Sequence, residues 1–186
     1  MLKPDRNRAL DLLYRHNRNQ SLRQHGLAVE AAMRRIAREW GEDEDYWGEV
    51  GLLHDVDYEK HPDDHCDFSA EMLKEAGYDD EFIRAVLSHG WEMCTDVKPE
   101  KRMEKALYAV DELCGLITAC AYMRPSKSVM DMEVSSVKKK FKTRAFAAGV
   151  NRDVITKGCE LLGITLDELT ALAIDGMREN AAAMGL

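Results

Sequence analysis

Val50-Gly51-Leu52-Leu53-His54-Asp55 is an apolar run that ends in an adjacent imidazole and carboxylate. It reads as the C-terminal part of a helix running from about Asp43 to His54 or Asp55, and helical patterns continue on both sides of it. Upstream, residues 5–18 form a polar, basic helix. Residues 21–40 form a second one, with Ser21 as the expected N-cap and Gly41 as the expected stop. Downstream, the polar loop Asp57 to Asp64 leads into a helix that ends before Gly77. Asp79 to Ser88 is the next helix, with His89-Gly90 at its end. Pro99 suits the first turn of a long helix reaching about Tyr122, which Arg124-Pro125-Ser126-Lys127 breaks. Helices near 131–147, 151–162 and 166–184 follow, with Gly149 and Gly163 as punctuation. The pattern gives about nine helices. Only four prolines and no clear β-alternation point to an all-α fold, a single compact domain over 1–186. Its core covers about 20–122, and a helical C-terminal extension covers about 124–186.

A chain of 186 residues can bury a real core, and 45% hydrophobic with 32% charged residues is an ordinary globular balance. With 34 acids against 26 bases the formal net charge is −8, which argues against general nucleic-acid binding. No apolar stretch is long enough to span a bilayer. The stretch Met1-Leu2-Lys3-Pro4-Asp5-Arg6 has no signal-peptide core. The five cysteines form no C-x-x-C motif, and their odd number predicts reduced thiols in a cytoplasmic protein. No P-loop or dinucleotide-binding glycine pattern is present.

Several polar residues sit where core residues belong. His25 continues the stripe Leu22, Val29, Ala32, Ile36 and Trp40. A lone histidine there is more often a hydrogen-bonded core residue than a ligand. Asp111 lies on the inner face of the long helix beside Leu107, Val110 and Cys114. A buried carboxylate there needs a cation or strong donors, and the alternative to a metal is an Arg or Lys partner. His89 follows Phe82, Ala85 and Val86 and has a second reading as a helix C-terminal histidine. His65, ahead of Phe68, Met72 and Leu73, is nearly as plausible as a surface residue. His16 and His61 read as surface residues. Taken together, imidazoles and carboxylates on several inner faces predict a divalent transition-metal site for Fe, Mn, Zn, Co or Ni. An all-oxygen Mg or Ca cage would not use this many histidines.

These residues resemble the HD superfamily of metal-dependent phosphohydrolases. The H…HD…D signature is matched by His25, His54-Asp55 and Asp111, and Leu107-Tyr108-Ala109-Val110-Asp111 looks like the family's last helix. His65 followed by Ser69-Ala70-Glu71-Met72-Leu73, together with His89, resembles the HDIG-type branch. The resemblance covers roughly residues 20–122. Residues 124–186 look like the extension of small bacterial and archaeal HD hydrolases. The chain departs from the HDIG pattern in carrying Asp57 where that motif has glycine. Asp57 is readable as an acceptor for a ligand histidine, but with Glu59, Asp63 and Asp64 nearby a solvated loop acid is the favoured reading.

The resemblance implies an HD-type helical bundle in which His25, His54, Asp55 and Asp111 hold one metal. If a second ion binds, Asp55 bridges and His65 and His89 complete the site. It also implies hydrolysis of a small phosphate ester, most readily a nucleotide, by water whose pKa the metal lowers. His54, Asp55 and Lys60 are then the expected catalytic group. Within 124–144, seven basic residues stand against Asp131 and Glu133. Lys138 to Lys142 read mainly as a solvated helix face, and Arg124 and Lys127 as candidate phosphate contacts. Two other classes compete, a non-catalytic metal- or nucleotide-binding sensor and an HD-type di-iron oxygenase. Oligomeric state is left open.

Overall fold

Two long helices cross at the centre of the fold, and the rest of the chain is arranged around them. A computed structural model describes residues 3–186. Met1 and Leu2, part of the start read as lacking a signal-peptide core, lie outside the described residues. The order is α1 (Arg6–His16), α2 (Gln20–Trp40), α3 (Glu44–Leu53), α4 (Ser69–Glu75), α5 (Asp80–Leu87), a 3₁₀ turn (Ser88–Gly90), α6 (Arg102–Tyr122), α7 (Val134–Phe141), α8 (Arg152–Leu162), α9 (Leu166–Glu179) and α10 (Ala181–Met184). No strand forms among the described residues; β-pairing there is limited to an isolated Trp91–Thr95 bridge. No helix among them is long and apolar enough to cross a membrane.

α2 is held at both ends by side chain and backbone. The Asn19 carboxamide accepts the Ser21 N–H at 2.8 Å, so the cap is Asn19, two residues ahead of the expected Ser21. Gly41, at φ 71°, closes the helix in the left-handed conformation that glycine adopts without a Cβ clash. The inner face buries Val29, Ala32, Met33 and Ile36, and α6, which packs against α2, buries Leu107, Val110, Leu113 and Ile117. α3 packs along α2, and a Cβ at Gly51 would stand only 3.1 Å from the Val29 carbonyl oxygen. This close approach brings His54, at the end of α3, beside His25, one turn before Val29.

The C-terminal helices share this core. α8 packs on α6, α9 packs on α2, and one hydrophobic cluster runs from Ala9 to Met184. The α9–α2 contact depends on Gly176, where a Cβ would collide with the Ala31 carbonyl oxygen and lie 2.9 Å from its carbon. Gly→Ala inside a helix ordinarily gains about 1 kcal/mol from propensity. Here the obstacle is backbone, so overpacking of about 1–3 kcal/mol dominates. Gly176→Ala is expected to lower the thermal midpoint; a rise would show that α9 can shift off α2 at no cost.

Some boundaries differ from the sequence pattern. The 131–147 helix is confined to Val134–Phe141, because the buried Arg152 guanidinium collects the carbonyls of Phe141, Phe146, Ala147 and Val150 and holds 142–150 as a loop. The 166–184 helix breaks at Asn180. Pro99 lies outside the long helix, where the Glu104 carboxylate accepts the Glu100 and Lys101 N–H groups at 2.7 and 3.1 Å.

Candidate metal centre

Five chain segments converge on one point. His25 comes from α2, His54 and Asp55 from the end of α3, His65 from the following loop, His89 from the 3₁₀ turn, and Asp111 from α6. The imidazoles are oriented from behind. His54 Nδ1 donates to the Gly51 carbonyl at 2.7 Å, and His89 Nδ1 to the Val86 carbonyl at 2.5 Å. Both acceptors are end-of-helix carbonyls three residues back, groups that a helix C-terminus leaves without an intrahelical donor. His65 Nδ1 donates to Asp57 Oδ1 at 2.9 Å. Each of these bonds places the ring proton on Nδ1 and turns the Nε2 lone pair inward.

The inward atoms form two groups joined by one carboxylate. His25 Nε2 lies 3.2 Å from His54 Nε2 and 2.8 Å from Asp111 Oδ1, and His54 Nε2 lies 3.3 Å from the same oxygen. His65 Nε2 lies 3.1 Å from His89 Nε2. Asp55 faces both groups. Its Oδ2 is 3.3 Å from His54 and 3.8 Å from His25, and its Oδ1 is 3.2 Å from His65 and 3.4 Å from His89. Adjacent helical residues diverge by about 100°, but His54 and Asp55 follow Leu53, the last residue of α3, and their side chains meet at 3.3 Å.

The donor set fits divalent metal. Ligands about 2.0–2.2 Å from an ion stand roughly 3–3.5 Å apart in tetrahedral or octahedral geometry, the range that most of these contacts occupy. With both Nδ1 atoms protonated, His65 and His89 point lone pairs at each other across 3.1 Å, an arrangement that a cation or proton between them relieves. Cys66 completes a possible cluster with His65 and His89, and His25, His54 and Asp55 make another.

Without an ion, protons hold the site together. Burial disfavours a charged His54, but the carboxylates of Asp55 and Asp111 outweigh it and raise its pKa well above the usual value. His65 is likewise opposed by burial and pushed up to about 10 by Asp55 and Asp57. Burial would raise Asp55 and Asp111, but their imidazole partners hold both well below the carboxylate range. The signs fix a pH dependence. Groups with raised pKa hold protons at neutral pH in the metal-free protein, and an ion must displace them. Metal affinity is therefore expected to increase as pH rises from 6 to 8, with proton release on binding. Calorimetry in buffers of different ionisation enthalpy reads this directly; proton uptake, or pH-independent affinity, would contradict it.

His25, Asp55, His65, His89 and Asp111 line a cleft of about 540 Å³ together with Leu22, Tyr58, Pro62, Asp63, Met93, Cys94, Glu112 and Gly115, and His54 is fully buried behind it. All six residues expected as ligands are brought together. Lys60, Arg124 and Lys127 are not among the cleft-lining residues. Lys60 Nζ lies 3.1 Å from His16 Nδ1, Arg124 is engaged by Asp131 at 2.8–2.9 Å, and Lys127 is exposed. The favoured reading of Asp57 as a solvated acid is overturned: it is fully buried, bonded to His65 and to the Cys66 N–H at 2.8 Å. His65 is not a surface histidine, with a side chain 14% exposed. Tyr58, Met93 and Glu112 were not read as site residues; only the position of Glu112, next to Asp111, gave a signal.

Comparison with known protein families matches the HD domain over residues 22–114, half of the chain, from just before His25 to just past Asp111. No curated protein and no solved structure matches the chain. The matched segment contains His25, His54-Asp55 and Asp111, which meet at one centre, so the chain belongs to the HD-domain family, the superfamily of metal-dependent phosphohydrolases.

Proposed function

We propose that this HD-domain protein hydrolyses a small phosphate monoester, with a nucleoside monophosphate as the best-fitting class, at a two-ion centre of the HDIG type. The observation that carries this reading is the division of Asp55, with Oδ2 toward His25 and His54 and Oδ1 toward His65 and His89. Two bound transition-metal ions would supply a water of lowered pKa and positive charge for the phosphoryl oxygens. His25, His54 and Asp111 would hold one ion, His65 and His89 the other, and Asp55 both. Asp57 keeps the proton on His65 Nδ1 and so keeps Nε2 available to the ion.

The cleft wall supports a single phosphate. Among the described residues that line it there is no Lys or Arg, while Asp63 and Glu112 add negative charge. A triphosphate would bring further anionic groups with no cation to meet them. Tyr58, Leu22, Pro62 and Met93 provide aromatic and apolar surface for the organic part of the ester. Lys60 remains a proposed phosphate contact only if its ammonium leaves His16, Arg124 only if its Asp131 pair opens, and Lys127 only if its exposed segment reaches the cleft.

The test is phosphate release by protein loaded in turn with Mn, Fe, Co, Ni and Zn. Chelator-sensitive turnover of nucleoside monophosphates, exceeding that of the triphosphates, is expected. No release from any ester with any of these metals would sink the hydrolase reading and leave a binding role. Lys60→Ala is expected to raise KM if the ammonium reaches the phosphate, and an unchanged KM removes Lys60 from the site.

A further inference from the structure

Two of the five cysteines lie against each other beside the second group of imidazoles. Cys66 Sγ is 2.9 Å from Cys94 Sγ and 4.0 Å from His89 Nε2. Cys66 directly follows His65, and Cys94 sits in the turn after His89. Both backbones are fixed. Cys66 adopts φ 74°, unusual for a residue with a Cβ, and is held there by its N–H bond to Asp57 at 2.8 Å. The Gly90 carbonyl accepts the N–H groups of Met93, Cys94 and Thr95 at 2.9–3.0 Å. Gly90 also leaves the room the sulfurs use, since a Cβ there would collide with Cys94 Sγ and stand 3.0 Å from Cys66 Sγ. Cys94 is exposed and lines the metal cleft, and both sulfur-bearing residues line a neighbouring groove with Asp67 and Thr95. Cys114, Cys120 and Cys159 are buried.

We propose that Cys66 and Cys94 are a reversible thiol–disulfide pair, oxidised by a small-molecule disulfide into an internal bond that ties the loop carrying His65 to the turn after His89. Neither the tethered geometry nor the exposure of Cys94 depends on the substrate reading. The exposed Cys94 sulfur attacks one sulfur of oxidised glutathione, and one glutathione leaves as thiolate. Cys66 then attacks the Cys94 sulfur of the mixed disulfide, the Cys66–Cys94 bond forms, and the second glutathione leaves. Two cysteines lose two electrons, one glutathione disulfide becomes two glutathiones, and the two cysteine protons pass to the departing thiolates or to water.

Manganese-loaded protein, whose hard ion does not tie up thiols, is incubated with oxidised glutathione, denatured, alkylated and weighed. The expected product retains three alkylatable thiols of the original five, carries no glutathione, yields a Cys66–Cys94 cross-linked peptide, and returns to five thiols with dithiothreitol. Cys66→Ser is expected to stop at a stable glutathione adduct on Cys94. Cys94→Ser, a change at an exposed position, is expected to leave Cys66 unmodified. Wild type that keeps the adduct, keeps five thiols while Cys66→Ser acquires an adduct, or cross-links a different pair would overturn the proposal.

Discussion

Asp55→Ala is expected to abolish metal-dependent turnover and to weaken both ions together. Removing one partner from a buried charge cluster also costs about 3–5 kcal/mol in stability. The loss falls on both positions because Asp55 is the carboxylate that faces the Nε2 atoms of both groups: Asp111 contacts those of His25 and His54, and Asp55 contacts those of His65 and His89 as well as that of His54. Asp63→Ala removes another carboxylate from the same cleft, one that makes no contact with the imidazoles, and is expected to leave metal content unchanged. Metal analysis of both variants after dialysis reads the difference. An Asp55→Ala protein that keeps one ion at wild-type affinity would show that Asp55 serves one position only.

The next largest effect is expected at Asp57. Asp57→Ala leaves two buried donors without an acceptor, His65 Nδ1 and the Cys66 N–H. Each unsatisfied buried group costs about 1–3 kcal/mol in stability. Loss of a partner that orients a ligand imidazole typically costs about 10–100-fold in metal affinity. The effect should be selective: binding at the proposed His65–His89 position weakens, while binding at the proposed His25–His54–Asp111 position stays. Calorimetric titration with manganese separates the two. Equal weakening of both ions would mean that Asp57 acts through general stability, and wild-type affinity at both would mean that His65 needs no support from behind.

Asp57 also marks the limit of what the sequence conveys. Helical stripes are a local signal, so the inner faces of α2 and α6, and with them His25 and Asp111, were legible from the spacing of apolar neighbours. His54 and Asp55 were legible because they end an apolar run. Asp57 sits among Glu59, Asp63 and Asp64, and composition there reads as solvated loop. Its burial comes from the way the segment leading to α4 folds back and places His65 and Cys66 over it, a tertiary arrangement with no local periodicity. The same limit applies to the basic residues. Their clustering after Tyr122 was plain, but its direction was not: Arg124 pairs with Asp131 and Lys138 with Asp167. The truncation of α7 depended on Arg152, a residue downstream whose reach into a loop no helical pattern encodes.

Within the family fold, the proposed bridging role of Asp55 separates a two-ion hydrolase from a one-ion relative. Native mass spectrometry of manganese-loaded protein counts the ions directly. Two ions per chain are expected for wild type, and one for the His65→Ala/His89→Ala double variant. A single ion in wild type under saturating metal, or two in the double variant, would contradict a carboxylate shared between two imidazole-held positions.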